Sequence, residues 1–157
     1  MISFDIGEAR FNYRVVGIAL EGDRVLLHRA EMDDFWSLPG GRGEMLEPSE
    51  ETLKREMREE LSIDIRVDRL VWVVENFFEY DDKPYHELAF YFLMTLPPDC
   101  RIREKTEPFA GYDGDVKLIF KWYQLDKLKN ILLYPSFLRE GLSSIPESIK
   151  HIVHIDP

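Results

Sequence analysis

GRGEMLEPSEETLKREMREELSI, residues 41–63, is the stretch on which the reading of this chain turns. Glycines and a proline lead into a run without helix breakers, so a helix is predicted from Ser49, a residue type that can serve as N-cap, to about Leu61. Glu50 and Glu51 fall in its first turn, where the helix dipole favours acids. Glu56, Glu59 and Glu60 are spaced i, i+3, i+4 and, at about 100° per residue, lie within an arc of roughly 100°. Left bare, each like-charged pair costs roughly a few tenths of a kcal/mol. A hard divalent cation, which takes several oxygen ligands, turns that repulsion into attraction. With the Gly-Gly turn of SLPGG (residues 37–41) and its free backbone carbonyls, the cluster has what a magnesium–phosphate site requires. The competing reading is a solvated face, since Glu50–Lys54, Glu51–Arg55 and Arg55–Glu59 pair opposite charges at i, i+4. Against it, Leu53, Met57 and Leu61 form the apolar stripe and Glu60 lies roughly 60° from its centre. A carboxylate at the edge of a core needs a partner.

Around this segment, residues 13–20 (YRVVGIAL) and 24–29 (RVLLHR) are β-rich runs joined by EGD, a hairpin signal. Residues 63–80 read as one long or two short strands, and 86–96 (HELAFYFLMTL) as an apolar strand buried on both faces. Residues 97–115 read as a long, polar, acidic loop. Residues 117–125 are a further strand, and 126–132 and 136–142 are short helix candidates. There is no internal repeat or linker-like composition shift, so one domain over residues 1–157 is expected. Strands flanking one strong helix, with helices again near the end, imply an α+β protein with a mixed sheet sandwiched by helices.

The totals agree. With 45% hydrophobic and 32% charged residues the chain has the composition of a globular protein. A formal net charge of −10 repels polyanions on average, which argues against a nucleic-acid polymer as partner. A small phosphorylated substrate remains possible if cations screen the acidic site. Cys100 is the only cysteine, so no intrachain disulfide is available, and it reads as a small core residue. MISFDIGEAR has no basic region followed by an apolar stretch, and no apolar run approaches membrane-spanning length. A cytoplasmic location without membrane association is expected.

Residues 41–63 resemble the Nudix box, which runs Gly, five residues, Glu, seven residues, then Arg-Glu-U-x-Glu-Glu-x-Gly-U, where U is aliphatic. Gly41, Glu47, Arg55, Glu56, Met57, Glu59, Glu60 and Ile63 stand in register. Matching the six charged or glycine positions by background composition has a chance on the order of 10⁻⁵ over a chain of this length. Ser62 replaces the final glycine, which normally closes the helix in a left-handed conformation, and Leu46 replaces the glycine that often precedes the first box glutamate. FWSLPGG (residues 35–41), LLHRA (26–30) and KWYQLDKLKNILLYP (121–135) are similar to the approach, early strands and closing elements of many members.

The resemblance implies a Nudix-type α/β/α sandwich. It also implies magnesium-dependent hydrolysis, with manganese able to substitute, of a pyrophosphate bond in a nucleoside diphosphate linked to another moiety. Glu56, Glu59 and Glu60 would ligate the metal together with the carbonyl of Gly40, and Glu44 is a further candidate. Arg55 and Glu47 would form a supporting ion pair. Arg29 is expected to hold a phosphate or to be a surface arginine. Trp36, with Phe35, either stacks on a base or packs the core. A general base is expected from Glu107, Asp113 or Asp115, with Asp113 favoured because Gly111 and Gly114 flank it. His28 and His86 are expected to be satisfied core residues, and His151 and His154 to mark a strand edge. The expected partner is a small nucleotide-like molecule, with a homodimer left open. Two relatives of the same fold are the alternatives. One is a nucleotide-sensing Nudix domain without turnover. The other is an isoprenoid diphosphate isomerase, for which Cys100 lacks a supporting context.

Overall fold

Ala9–Glu21 (β2) runs through the middle of the molecule, and its alternation divides the core in two: Val16 and Ile18 point to one face, Val15 and Ala19 to the other. The computed structural model describes residues 1–157 and pairs β2 with four strands: Ser3–Ile6 (β1), Arg24–Ala30 (β3), Gly40–Arg42 (β4) and Lys83–Thr95 (β6). Arg66–Tyr80 (β5) lies antiparallel to β6, and Lys150–Ile155 (β9) lies parallel to β5. Beyond β3 comes the hairpin Phe109–Asp113 (β7) and Val116–Gln124 (β8), giving the order β7-β8-β3-β2-β6-β5-β9. Parallel β2–β6 and β5–β9 contacts make the sheet mixed, as expected. β3 pairs with β2 only at Leu20 and Glu21, whereas β4 takes residues 14–16. The sheet therefore splits beside β2, and the split is where the site forms.

Ser49–Leu61 (α1) covers one face, sinking Leu53 and Met57 completely among Val15, Leu26, Phe92 and Phe120. Each such side chain contributes about 1.5–3 kcal/mol of burial. On the other face the 3₁₀ turn Leu125–Asn130 and the short helix Leu138–Gly141 (α2) bring Leu128 and Leu138 against Val16, Ile18, Val74 and Tyr91. The result is the α/β/α sandwich. No helix is long and apolar enough to cross a membrane.

Several local expectations need correction. The N-cap position of α1 is held by Pro48 in an extended conformation, Ser49 is already helical, and no side chain caps the end. Thr52 Oγ1 instead donates to Glu47 Oε1 at 2.6 Å, tying the first turn to the preceding loop. Residues 97–115 are not one loop: they hold the 3₁₀ turn Arg101–Glu104 and β7. Five residues with a central glycine carry too little β signal to be read alone; pairing with β8 makes them a strand. β6 is buried on both faces only around Tyr91 and Phe92. His86 is exposed, lying between the rings of Phe11 and Phe77, not in the core.

Ser62 adopts the left-handed conformation (φ 57°, ψ 38°) that the missing glycine would take, with its N–H on the Arg58 carbonyl at 2.9 Å. Serine bears a cost of about 1 kcal/mol there. Ser62→Gly is expected to raise the melting temperature by about 2–4 °C in a chain of this size. An unchanged or lower midpoint in thermal unfolding would show that Ser62 is held by contacts that offset the strain.

Candidate active site

The last two turns of α1 aim two carboxylates into the split between β3 and β4. Glu56 is 8% and Glu60 5% exposed, near-complete burial for charged residues. The glycine strand makes room for them. Gly40 has φ +154°, and a Cβ there would run into the Val15 carbonyl. A Cβ on Gly41 would run into the Glu56 carboxylate itself. Gly40 is thus required by close approach of backbone to backbone, and Gly41 by close approach of backbone to carboxylate.

Around this pair the loop before α1 is clamped by Arg55. Its Nε donates to Glu47 Oε2 at 2.8 Å, one Nη to Glu47 Oε1 at 3.1 Å and to the Arg42 carbonyl, and the other to Glu56 Oε1 at 2.9 Å. The Arg55 guanidinium, helped by Thr52, holds the Glu47 carboxyl down at about 2, and these carboxylates hold Arg55 firmly charged. The expected ion pair is present and links the loop to one carboxylate of the buried pair. Burial first, and the neighbouring Glu60 second, push the Glu56 carboxyl up to about 8. Burial does the same to Glu60, whose Oε1 has no hydrogen-bond partner. Two desolvated carboxyls side by side retain protons through the neutral range unless a cation replaces them.

Glu59 is half exposed and shares one Arg55 Nη with Glu56, its Oε2 at 3.3 Å, and its charge acts on Glu60. Asp113 closes β7, where Phe109 and Gly111 alternate toward α1; its charge acts on both Glu60 and His28. Glu107 is exposed ahead of β7, and Asp115 sits in the tight turn beside Gly114. Glu44 binds the terminal amine of Met1 at 2.6 Å. Arg29 directs one Nη to the carbonyls of Ala30, Glu31 and Asp33 and lies over the Trp36 ring at 5.2 Å, so it braces the loop after β3. Trp36 is half-buried and packs edge-on against Tyr123 beside the core. His151 and His154 lie on β9, the outermost strand, as expected. Cys100 is half-buried and unpaired.

Two contributors were not foreseen. His28 is buried as expected but not satisfied: its Nδ1 has no hydrogen bond and stands 3.4 Å from Glu60 Oε1. Burial, then the Arg14 charge, hold His28 neutral, its pKa lowered to about 3. Arg14 reaches from β2 to the Leu38 carbonyl at 3.1 Å and is felt by Glu60. A charged residue inside the apolar run YRVVGIAL was the available signal for Arg14.

The NUDIX domain model matches residues 11–142. The chain belongs to the Nudix family. A relative in Buchnera aphidicola subsp. Schizaphis graminum (strain Sg), named "8-oxo-dGTP diphosphatase", is 27% identical over 144 residues, covering 89% of this chain and 88% of that protein. The Bacillus subtilis (strain 168) protein named "Putative ADP-ribose pyrophosphatase YjhB" is 36% identical over 84 residues, which are 52% of this chain and only 40% of that protein. The crystal structure of an ADP-ribose pyrophosphatase from Streptococcus suis 89-1591 superposes with a TM-score of 0.58 at 15% identity, over 90% of this chain and 98% of that one. At that identity the likeness is one of fold.

Proposed function

We propose that this Nudix pyrophosphohydrolase cleaves the pyrophosphate bond of a nucleoside diphosphate linked to another moiety, by attack of water on phosphorus and with magnesium (or manganese) as cofactor. The buried Glu56–Glu60 pair against Gly41 carries the reading, because Glu60 Oε1 is desolvated and without a partner. The two carboxylates and the Gly40 carbonyl offer oxygen donors, which suit a hard cation, with the His28 Nδ1 the one nitrogen beside them. Glu56, Glu59, Glu60 and the Gly40 carbonyl would hold it, Glu59 by a change of rotamer that releases Arg55. When bound, the metal supplies positive charge against the phosphate oxygens and lowers the pKa of water. The remaining tasks belong to the chain. Arg55 and Glu47 fix the loop and one carboxylate in place. Asp113, on the strand facing the end of α1, takes the proton of the attacking water. Arg29 and Trp36, stacked beside the split, are the candidates for contact with the substrate.

Nucleoside di- and triphosphates, ADP-ribose and nucleotide sugars incubated with magnesium, with product phosphate or nucleoside monophosphate followed, test this directly. Turnover of at least one class is expected, abolished by chelator and restored by magnesium or manganese. Undiminished turnover in excess chelator would end the metal role, and tight binding of the same compounds without turnover would identify a nucleotide-sensing domain instead.

A further inference from the structure

On the sheet face opposite α1, strand register lines up four polar side chains. Asn12 on β2 stands opposite Glu87 on β6, Glu87 opposite Asn76 on β5, and Asn76 opposite His154 on β9. Asn12, Asn76 and Glu87 are only 4%, 4% and 7% exposed. The Oδ1 of Asn76 has no partner. Burial pushes the Glu87 carboxyl up, and the Arg14 charge and then the two neighbouring carboxamides counter it by favouring the carboxylate. A buried acceptor without a donor costs about 1–3 kcal/mol, so a purely structural row would be expected to close on itself.

The row lies in line with the candidate active site. Arg14, two residues along β2 from Asn12 on the same face, sits between them: it is felt by Glu60 on one side and by Glu87 on the other. Gly40 pairs with Val16, four residues from Asn12, a separation of about 13 Å along the strand. That distance suits the reach from a pyrophosphate to the base of the same nucleotide. Aromatic residues flank the row: half-buried Phe78 stacks on half-buried Tyr85 at 5.1 Å, and Phe35 meets the exposed Tyr80 and Tyr134 edge-on, each at 5.9 Å. A polar floor between aromatic walls is the environment a nucleobase takes.

We infer that the Asn12–Glu87–Asn76 row reads the base of the substrate and selects one presenting two adjacent N–H donors, the ring imide and exocyclic amino group of a guanine-type edge. The Glu87 carboxylate and Asn76 Oδ1 accept these two protons. Adenine and cytosine offer one amino donor beside a ring nitrogen acceptor, which would face the carboxylate and be repelled. Loss of a donor matched to a charged acceptor discriminates strongly, because the buried acceptor is then left unpaired.

This inference rests on the nucleotide substrate proposed above, and the test separates the two. GMP and AMP are titrated into the wild-type protein in chelator and binding is measured calorimetrically; GTP and ATP are then compared as substrates with magnesium. GMP is expected to bind at least about tenfold more tightly than AMP, kcat/KM should favour GTP by a similar factor, and Glu87→Gln should abolish the preference. In that variant the loss for GTP should fall on KM more than on kcat, and ATP should be used no worse than by the wild-type protein or better as the repulsion is relieved, a split that a merely structural Glu87 would not give. Equal affinity of the wild-type protein for GMP and AMP overturns the base assignment, whether or not the variant folds. Equal affinity with magnesium-dependent turnover of other pyrophosphates leaves the hydrolase standing. Selective GMP binding without turnover of any nucleotide overturns the hydrolase and keeps the row.

Discussion

Glu60→Gln is expected to lower kcat by about 10²-fold or more while the chain stays folded. The substitution keeps the shape of a side chain that is 5% exposed and removes the charge with which it would bind a cation. Its effect on stability should have the opposite sign. Burial raises the Glu60 carboxyl above its ordinary value, to about 8, so between roughly pH 5 and 8 the folded state holds a proton that the unfolded chain releases. Stability of the metal-free protein therefore falls as pH rises through that window, and recovers when a cation replaces the proton. Glutamine has nothing to titrate, so the variant should melt at a higher temperature than metal-free wild type at pH 8, with a flatter pH dependence. Retention of more than about a tenth of the wild-type rate, a barrier change under about 1.4 kcal/mol, would remove Glu60 from the site.

Asp113→Asn is the second large effect, a loss of about 10²- to 10⁴-fold in kcat with KM and metal affinity nearly unchanged, as expected for a general base. The sequence suggested one long acidic loop, with Asp113 favoured for its flanking glycines. The structure has a hairpin, in which strand pairing with Val116 and the alternation Phe109, Gly111, Asp113 orient the residue toward the end of α1. Asp113 is thereby distinguished from Glu107, which precedes the strand, and from Asp115 in the turn. Measured rates for the three variants decide among them. A large loss in Glu107→Gln with Asp113→Asn near wild type would move the base to Glu107. Activity in all three would leave proton removal to a box glutamate or to metal-bound water alone.

The helix and its carboxylates were legible because their signal is local: charge and glycine at fixed spacing within residues 41–63 determine both the helix face and the backbone it approaches. The β2–β3 hairpin was legible for the same reason, EGD supplying Gly22 at φ +62° for the turn. What escaped reading depends on pairing between distant segments. Gly40–Arg42 forms a strand only because β2 offers it an edge, and Phe109–Asp113 only because β8 does. His28 reads as an ordinary buried histidine until α1 is folded back to put Glu60 3.4 Å from its ring. The Asn12–Glu87–Asn76 row is spread over three strands, and only their pairing brings its members side by side.

Hydrolysis in ¹⁸O-labelled water, with magnesium and again in excess chelator, bears most directly on the central claim. With magnesium, one ¹⁸O atom should appear on a single phosphate of the products for each bond broken, and none should be incorporated in chelator. Label at carbon in place of phosphorus, or label incorporated equally with chelator, would contradict metal-assisted attack of water on a pyrophosphate.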